Sequence, residues 1–377
     1  MLCSSTTPLV AEGGEAHYRV TKIIEGSGTS VPEAGGINQK GQVVGSIDSG
    51  GSTEFWLWSN GARQNLSLGN GRRGQATALN DLGQVVGAFY TGEFFVDIWG
   101  IVVPVYHAFI WTDGSLLDLG TLGGWSSSAH WINDQGVVFG AADTPDNDRV
   151  AFMARNGRVR SLQSLISNPS GWKLALESHY VAADGRIWGL GTYGSKYHMY
   201  EMMPETNGMY RIRSRGVIET IDVVKVFAIN EFGQVVGRVT ISAGRGSAFL
   251  WDEQGSILID VPGPASFPYA VNNLGQVVGM TTFDSSSYNA FLWEDNVKSN
   301  LNDLIPADSG ILLTEAKSIN DAGNIVCIYR NIASGFYGVC LLTPVTPLPV
   351  EISDYAMTPD GMRLEVRGGA EIGRASC

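Results

Sequence analysis

"LNDLGQVVG", residues 79–87, sets Asn80 and Gly83 around a turn and follows them with two adjacent valines and a second glycine. The string recurs as "INQKGQVVG" at 37, "INDQGVVFG" at 132, "VAADGRIWG" at 181, "INEFGQVVG" at 229, "VNNLGQVVG" at 271 and "INDAGNIVC" at 319. Seven copies in register make it a building block of the scaffold rather than an isolated ligand loop. Their fifth-position glycines, Gly41, Gly83, Gly136, Gly185, Gly233, Gly275 and Gly323, are separated by 42, 53, 49, 48, 42 and 48 residues. A period of about 40–50 residues belongs either to propeller blades or to paired-helix repeats.

Strand chemistry decides between them. Each copy runs on through a variable polar loop to an aromatic strand, as in "EFWLW" at 54, "HAFIW" at 107, "VAFMA" at 150, "SAFLW" at 247 and "NAFLW" at 289. These are short runs of β formers with no stretch at helical period. A further strand follows a turn glycine in "NGARQNLSLG", "DGSLLDLG", "NGRVRSLQSL" and "QGSILIDV". Four short strands per repeat are the content of one blade.

The residue types fit that reading. Asn80 can bond its own turn backbone, and Gly83 takes the positive φ that closes a tight hairpin. Val85 and Val86 point to opposite faces, and both are buried when neighbouring blades cover both sides. Gly87 marks a bulge or a close backbone approach. Phe109 and Trp111 share a face and fill the wedge between blades. "HYRVTKI" at 17–23 precedes the first copy where a fourth strand belongs, and the seventh copy ends on its aromatic strand "FYGVCLLTPV". The fold expected is therefore all-β: a β-propeller of seven four-stranded blades over residues 17–344, closed by the N-terminal strand, which removes an open sheet edge.

Around it, residues 1–16 read as a disordered segment. Residues 345–377 read as a Pro-rich linker, "TPVTPLPV", and a truncated β-hairpin, "EISDYAMTPDGMRLEV". Two strands bury no core of their own. The terminal "EIGRASC" reads as an artefact of the gene fragment, which makes Cys377 non-native. "MLCSSTTPLV" carries no secretory signal, and "LCS" matches the end of a lipoprotein cleavage site only without the apolar stretch that should precede it.

"SAHWINDQGVVFG", "HAFIWTDGSLLDLGTLGG" and "GFYGVCLLTPV" together resemble the HAF repeat family, named for the His-Ala-Phe that stands here at His107, Ala108 and Phe109. The resemblance covers roughly residues 17–344. It implies a bacterial extracellular or cell-surface repeat protein, its signal peptide missing from this sequence, with no common activity. The histidine is replaced by Glu54, Ser247 or Asn289 in other copies, so it is not a ligand required in every blade.

Composition bounds the rest. Of 377 residues, 44% are hydrophobic and 16% charged, with 48 glycines, as for a folded chain rich in turns. The net charge of -12 argues against a nucleic-acid partner, because phosphate binding needs a basic surface. No run of about 18 apolar residues offers a transmembrane segment.

Three local features carry candidate chemistry. Cys327 and Cys340 fall opposite each other if "IASG" at 332–335 is the loop between their strands, making a candidate disulfide against the alternative of two buried thiols. Asp143, Asp146 and Asp148 in "DTPDNDR" are a weak candidate calcium site, lacking the glycine and distal Glu of a calcium loop. The long aromatic insertion at 90–106 offers Phe94, Phe95 and Trp99 as a weak partner or ligand surface, or else a hairpin that covers itself. The five histidines lack metal-ligand spacing, and no serine sits in a G-x-S-x-G elbow.

The main functional expectation is accordingly a monomeric, non-enzymatic binding or structural scaffold contacting protein or glycan through its loops, without cofactor. The alternative is a propeller enzyme acting on polysaccharide, a glycosidase or lyase, whose axial acids and aromatics come from distant repeats. Two carboxylates roughly 5–10 Å apart beside an exposed aromatic in the axial funnel would favour the alternative.

Overall fold

The computed structural model describes residues 17–49, 52–66, 73–97, 99–182, 184–218, 224–240, 246–259, 266–282, 288–345, 351–358 and 361–367. The chain enters through β1 (Tyr18–Glu25). Blade one is β2 (Val31–Ile37), β3 (Val43–Asp48), β4 (Thr53–Ser59) and β5 (Ala62–Leu66). Blade two is β6 (Gly74–Leu79), β7 (Val85–Val96), β8 (Val102–Thr112) and β9 (Ser115–Gly120). Blade three is β10 (Ser127–Ile132), β11 (Val138–Asp143), β12 (Arg149–Arg155) and β13 (Arg158–Ser161). Blade four is β14 (Trp172–Val181), β15 (Ile187–Tyr193), β16 (Lys196–Pro204) and β17 (Tyr210–Val217). Blade five is β18 (Val224–Ile229), β19 (Val235–Thr240), β20 (Gly246–Asp252) and β21 (Gly255–Leu258). Blade six is β22 (Ser266–Val271), β23 (Val277–Thr282), β24 (Tyr288–Glu294) and β25 (Val297–Asn300). Blade seven takes β26 (Ile311–Ile319), β27 (Ile325–Asn331) and β28 (Tyr337–Pro344).

Each of these seven sheets is four-stranded and antiparallel, so the molecule is a seven-bladed β-propeller. The seventh has the order β1-β28-β27-β26, with Tyr18 opposite Pro344 and Lys22 opposite Cys340. The N-terminal strand thus closes the ring, as its sequence position required. The two longest connections carry short 3-10 turns at Gln163–Leu165 and Leu301–Leu304. Beyond the propeller, β29 (Glu351–Thr358) and β30 (Gly361–Arg367) form a separate antiparallel pair. The expected disorder of residues 1–16 and the linker at 346–350 lie outside the described residues.

The double valine shows how the ring is held. Val85 packs with Val44, Phe55 and Leu66 of blade one, alongside Phe109 and Trp111. Val86 packs on the other face with Ala129, Val138 and Phe152 of blade three. Burying such a side chain contributes roughly 1.5–3 kcal/mol. The same logic joins the ends, where Val326, Val339 and Leu341 of blade seven pack with Ala34, Val43 and Trp56 of blade one.

All seven fifth-position glycines carry φ between +70° and +84°. Gly87 does something different. Its backbone passes so close to β6 that an added Cβ would run into the Gln75 carbonyl oxygen. The bulge itself sits on the inner strand, where the register shifts between Ala76 and Ala78. Gly140 and Gly279 repeat this close approach against Ser128 and Phe267.

Candidate functional site

The turns at the heart of each copy gather at one end of the axis, around a cavity of about 460 Å³ lined by residues from all seven blades. Two tiers of hydrogen bonds build its rim. In the first, Asn80 Oδ1 accepts from the N–H groups of Leu82 (3.1 Å) and Gln84 (2.9 Å), as a turn-forming Asn should. Its Nδ2 also reaches the next blade and donates to the Asn133 carbonyl at 2.9 Å. Asn38, Asn230, Asn272 and Asn320 make the same inter-blade bond to Asn80, Asn272, Asn320 and Asn38. That second role of the asparagine was not visible in one repeat taken alone.

In the second tier, the residue after each asparagine accepts from the previous blade's backbone. Gln39 N–H donates to Asp81 Oδ1 (2.9 Å), Asp81 N–H to Asp134 Oδ1 (2.8 Å) and Asn273 N–H to Asp321 Oδ1 (2.8 Å). Asp321 Oδ2 accepts further from Asn273 Nδ2 and Gln39 Nε2. The rim therefore carries four carboxylates, those of Asp81, Asp134, Glu231 and Asp321.

Blade four breaks the pattern. Its copy, "VAADGRIWG", has alanine at 182 and 183, so it supplies neither the amide nor the carboxylate. Tyr180 takes the place on the rim instead. Its hydroxyl faces Glu231 Oε2 at 3.5 Å, and its ring lies 5.2 Å from that of Trp131. Burial, reinforced by Glu231 and then by Asp321 and Asp134, holds the Tyr180 phenol well above its ordinary range. The hydroxyl therefore stays protonated at neutral pH and can donate a hydrogen bond to Glu231. Glu231, the protonated phenol of Tyr180, Trp131 and Asp134 thus line one cavity.

The candidates read from the sequence lie elsewhere. The insertion is the self-extending hairpin: β7 and β8 continue their pairing as Phe94 with Pro104 and Phe95 with Val103. Phe95 stacks on Trp125 at 5.2 Å, while Phe94 and Trp99 are 58% and 80% exposed. The hairpin grows from the end of β7 opposite the rim turn, some ten residues and about 30 Å of strand away. Asp143, Asp146 and Asp148 do not converge. Asp143 is taken by Arg149 Nη1 and the Ser126 N–H, both at 2.9 Å, while Asp146 and Asp148 are exposed. Among the described residues no three His, Cys, Asp or Glu side chains stand where they could hold a metal ion. Cys327 and Cys340 are direct partners in the register, as expected, yet the structure holds them as free buried thiols in place of the candidate disulfide. Burial pushes both thiols above their ordinary range. The turn glycines shape the rim but bring no chemistry to it. Another buried carboxylate, Glu201 of β16, is occupied by Arg186 and Arg213 and is structural.

No family model matches the chain, and no curated protein does. Solved structures share its fold. A puromycin-hydrolyzing peptidase of Mycobacterium tuberculosis superposes with a TM-score of 0.50 at 11% identity, over 88% of this chain and 57% of that one. A puromycin hydrolase gives 0.50 and 11%, over 90% and 58%. An acylaminoacyl peptidase gives 0.43 and 10%, over 74% and 46%. The chain spans under three fifths of the length of each. Identity this low shows the fold alone; the expectation of a non-enzymatic scaffold is corrected to this extent, that the same propeller shape is found in two puromycin-hydrolysing chains. That expectation rested on a propeller without a recognisable catalytic string, and propellers of this shape occur in chains that hydrolyse their substrates. Among the described residues no helix is long and apolar enough to cross a membrane.

Proposed function

We propose that the chain is a propeller enzyme that cleaves polysaccharide at the axial mouth. The observation that carries this reading is the gap at blade four, where Tyr180 and Glu231 meet beside Trp131 in a cavity rimmed by carboxylates. Glycosidic cleavage needs a proton delivered to the leaving oxygen and a second carboxylate to meet the positive charge that develops on the sugar. Glu231, positioned by the Tyr180 hydroxyl, is the carboxyl that transfers the proton to the leaving oxygen, Asp134, anchored by the Asp81 N–H, supplies the opposing charge, and water from the open mouth completes the hydrolysis. Sugar rings present apolar faces to aromatic side chains, which is what Trp131 and Tyr180 offer. The extracellular or surface setting implied by the HAF resemblance suits a polymeric substrate. The acidic rim disfavours anionic polymers, so neutral glycans are the substrates of choice.

The test is release of reducing ends from a panel of neutral and acidic polysaccharides by the purified chain. Release by the wild type, reduced at least about 100-fold in Glu231→Gln with an unchanged melting temperature, is expected for loss of a proton-transfer group. Absence of release from every polymer, or equal release by Glu231→Gln, would overturn the reading.

A further inference from the structure

The hairpin that extends blade two has two faces with different surroundings. Register sets Phe94 opposite Pro104, Phe95 opposite Val103 and Val96 opposite Val102. Alternation therefore places Phe95 and Val103 on one face and Phe94, Val96, Val102 and Pro104 on the other. The first face folds back onto the propeller, where Phe95 stacks on Trp125 at 5.2 Å and Val105 is buried. By the same alternation Glu93 and Asp97 belong to that face, and Asp97 Oδ1 accepts the N–H groups of Trp99 and Ile101 at the tip, both at 2.8 Å. The second face carries no charge. Tyr90 and Tyr106, paired at its base, continue it, with the Tyr90 ring 5.3 Å from Phe94 and 5.9 Å from Tyr106.

The outer half of this second face is bare. Val96 and Val102 are 66% and 61% exposed, and Ile101 at the tip is 59% exposed. An aromatic side chain offers roughly 150–250 Å², so with Phe94 and Trp99 these five expose on the order of 500 Å² of apolar surface, as much as the largest patch of a typical monomer. A two-stranded ribbon standing out from its sheet also lacks neighbours to steady it, which is a second reason for a cover.

Charge selects the occupant. Residues 74–148 contain no lysine or arginine but nine aspartates and glutamates. An apolar face that docks on lipid is ringed by basic side chains that meet anionic headgroups, and this one has none. A second copy needs no charge partner. An uncharged stripe packs on its own image across a two-fold axis while Glu93 and Asp97 stay on the face turned away. Mutual cover would remove about 1,000 Å² from water, the size at which a specific interface begins.

We propose that the chain forms a two-fold dimer through the stripe of Phe94, Val96, Trp99 and Val102, in place of the monomer expected from the sequence. The hairpin leaves blade two at the end away from the rim turns, so the dimer keeps both axial mouths open and stands apart from the polysaccharide reading.

Sedimentation velocity of the full chain at about 1–100 μM, the range suited to an interface of this size, tests it. The wild type is expected to move from 40.4 kDa towards twice that mass as its concentration rises. Val96→Lys and Val102→Lys each set like charges across the axis and should weaken association at least about tenfold, with the melting temperature of the wild type because both positions are exposed. Leu258→Lys, at a 49% exposed position on the outer strand of blade five, should associate as the wild type does. A wild type that stays at 40.4 kDa throughout overturns the dimer. So does an association that the two stripe variants retain, or one that Leu258→Lys also loses. Flotation of a monomeric wild type with phosphatidylcholine vesicles overturns it as well, and gives the stripe to lipid.

Discussion

Replacing Asn272 with alanine isolates what one rim asparagine contributes to the ring. Asn272 is buried and makes four side-chain hydrogen bonds. Its Nδ2 donates to Gln276 Oε1 (2.6 Å) and to the Asn320 carbonyl of blade seven (3.0 Å). Its Oδ1 accepts from the N–H groups of Leu274 (3.1 Å) and Gln276 (3.0 Å). The turn's own backbone bonds survive the change, since Gly275 N–H still donates to the carbonyl of residue 272. Two groups lose their partner in a buried setting, the Gln276 N–H and Gln276 Oε1, while the Asn320 carbonyl loses its inter-blade bond but keeps the Gly323 N–H. The N–H of the exposed Leu274 turns to water instead. At about 1 kcal/mol for each orphaned group the cost is about 2 kcal/mol, or a fall in melting temperature of about 3 °C for a chain of this size. Guanidinium denaturation followed by tryptophan fluorescence reads it directly, with Asn273→Ala as the comparison. Asn273 bonds in the more open second tier, to the Glu231 N–H at 3.2 Å and to Asp321 at 2.8 Å, so its replacement should cost under about 1 kcal/mol. An Asn272→Ala midpoint within error of wild type, or no steeper than that of Asn273→Ala, refutes the claim that the asparagine ring ties the blades together.

Three further outcomes follow from the same coordinates. Gly279→Ala drives a methyl group into the Phe267 carbonyl and to 2.9 Å from the Phe291 ring, and should cost about 2–3 kcal/mol in chemical denaturation; an unaltered midpoint would contradict the close approach of β22 and β23. Cys327 and Cys340, buried with raised thiol pKa values, should be alkylated by iodoacetamide only after unfolding, and a mass showing them bonded, or labelling of native protein, goes against the free-thiol structure. His179 has a folded pKa lowered to about 3, so the unfolded chain binds its proton first: stability should fall as pH drops from about 6.5 towards 3, by up to about 1.4 kcal/mol per pH unit. His179→Phe should flatten that part of the profile, and an equal slope in both proteins rejects the assignment.

The fold was legible because its evidence repeats. Seven copies of one turn, each followed by an aromatic strand, fix blade number, strand count and closure, and the opposite faces of Val85 and Val86 follow from strand geometry alone. Even the Cys327–Cys340 register could be counted from the loop. The site was not legible, since its residues lie up to 240 positions apart, from Asp81 to Asp321, and meet only when the ring closes. Asp134, Glu231 and Asp321 sit beside the turn asparagines and read there as ordinary turn residues. One signal was available: the alanine pair at the second and third positions of "VAADGRIWG", where other copies carry the asparagine and a polar residue, marks the break that Tyr180 fills. Phe94, Trp99 and Asp143 stand out in the sequence because their loops differ between copies, and those loops lie away from the rim.

The most direct test of the account is a crystal structure of the Glu231→Gln variant soaked with an oligosaccharide of a neutral polysaccharide. Sugar rings lying in the axial mouth against Trp131 and Tyr180, with a glycosidic oxygen at residue 231, are the predicted result. An empty mouth, with sugar bound only at the hairpin carrying Phe94 and Trp99 or nowhere on the molecule, would contradict it.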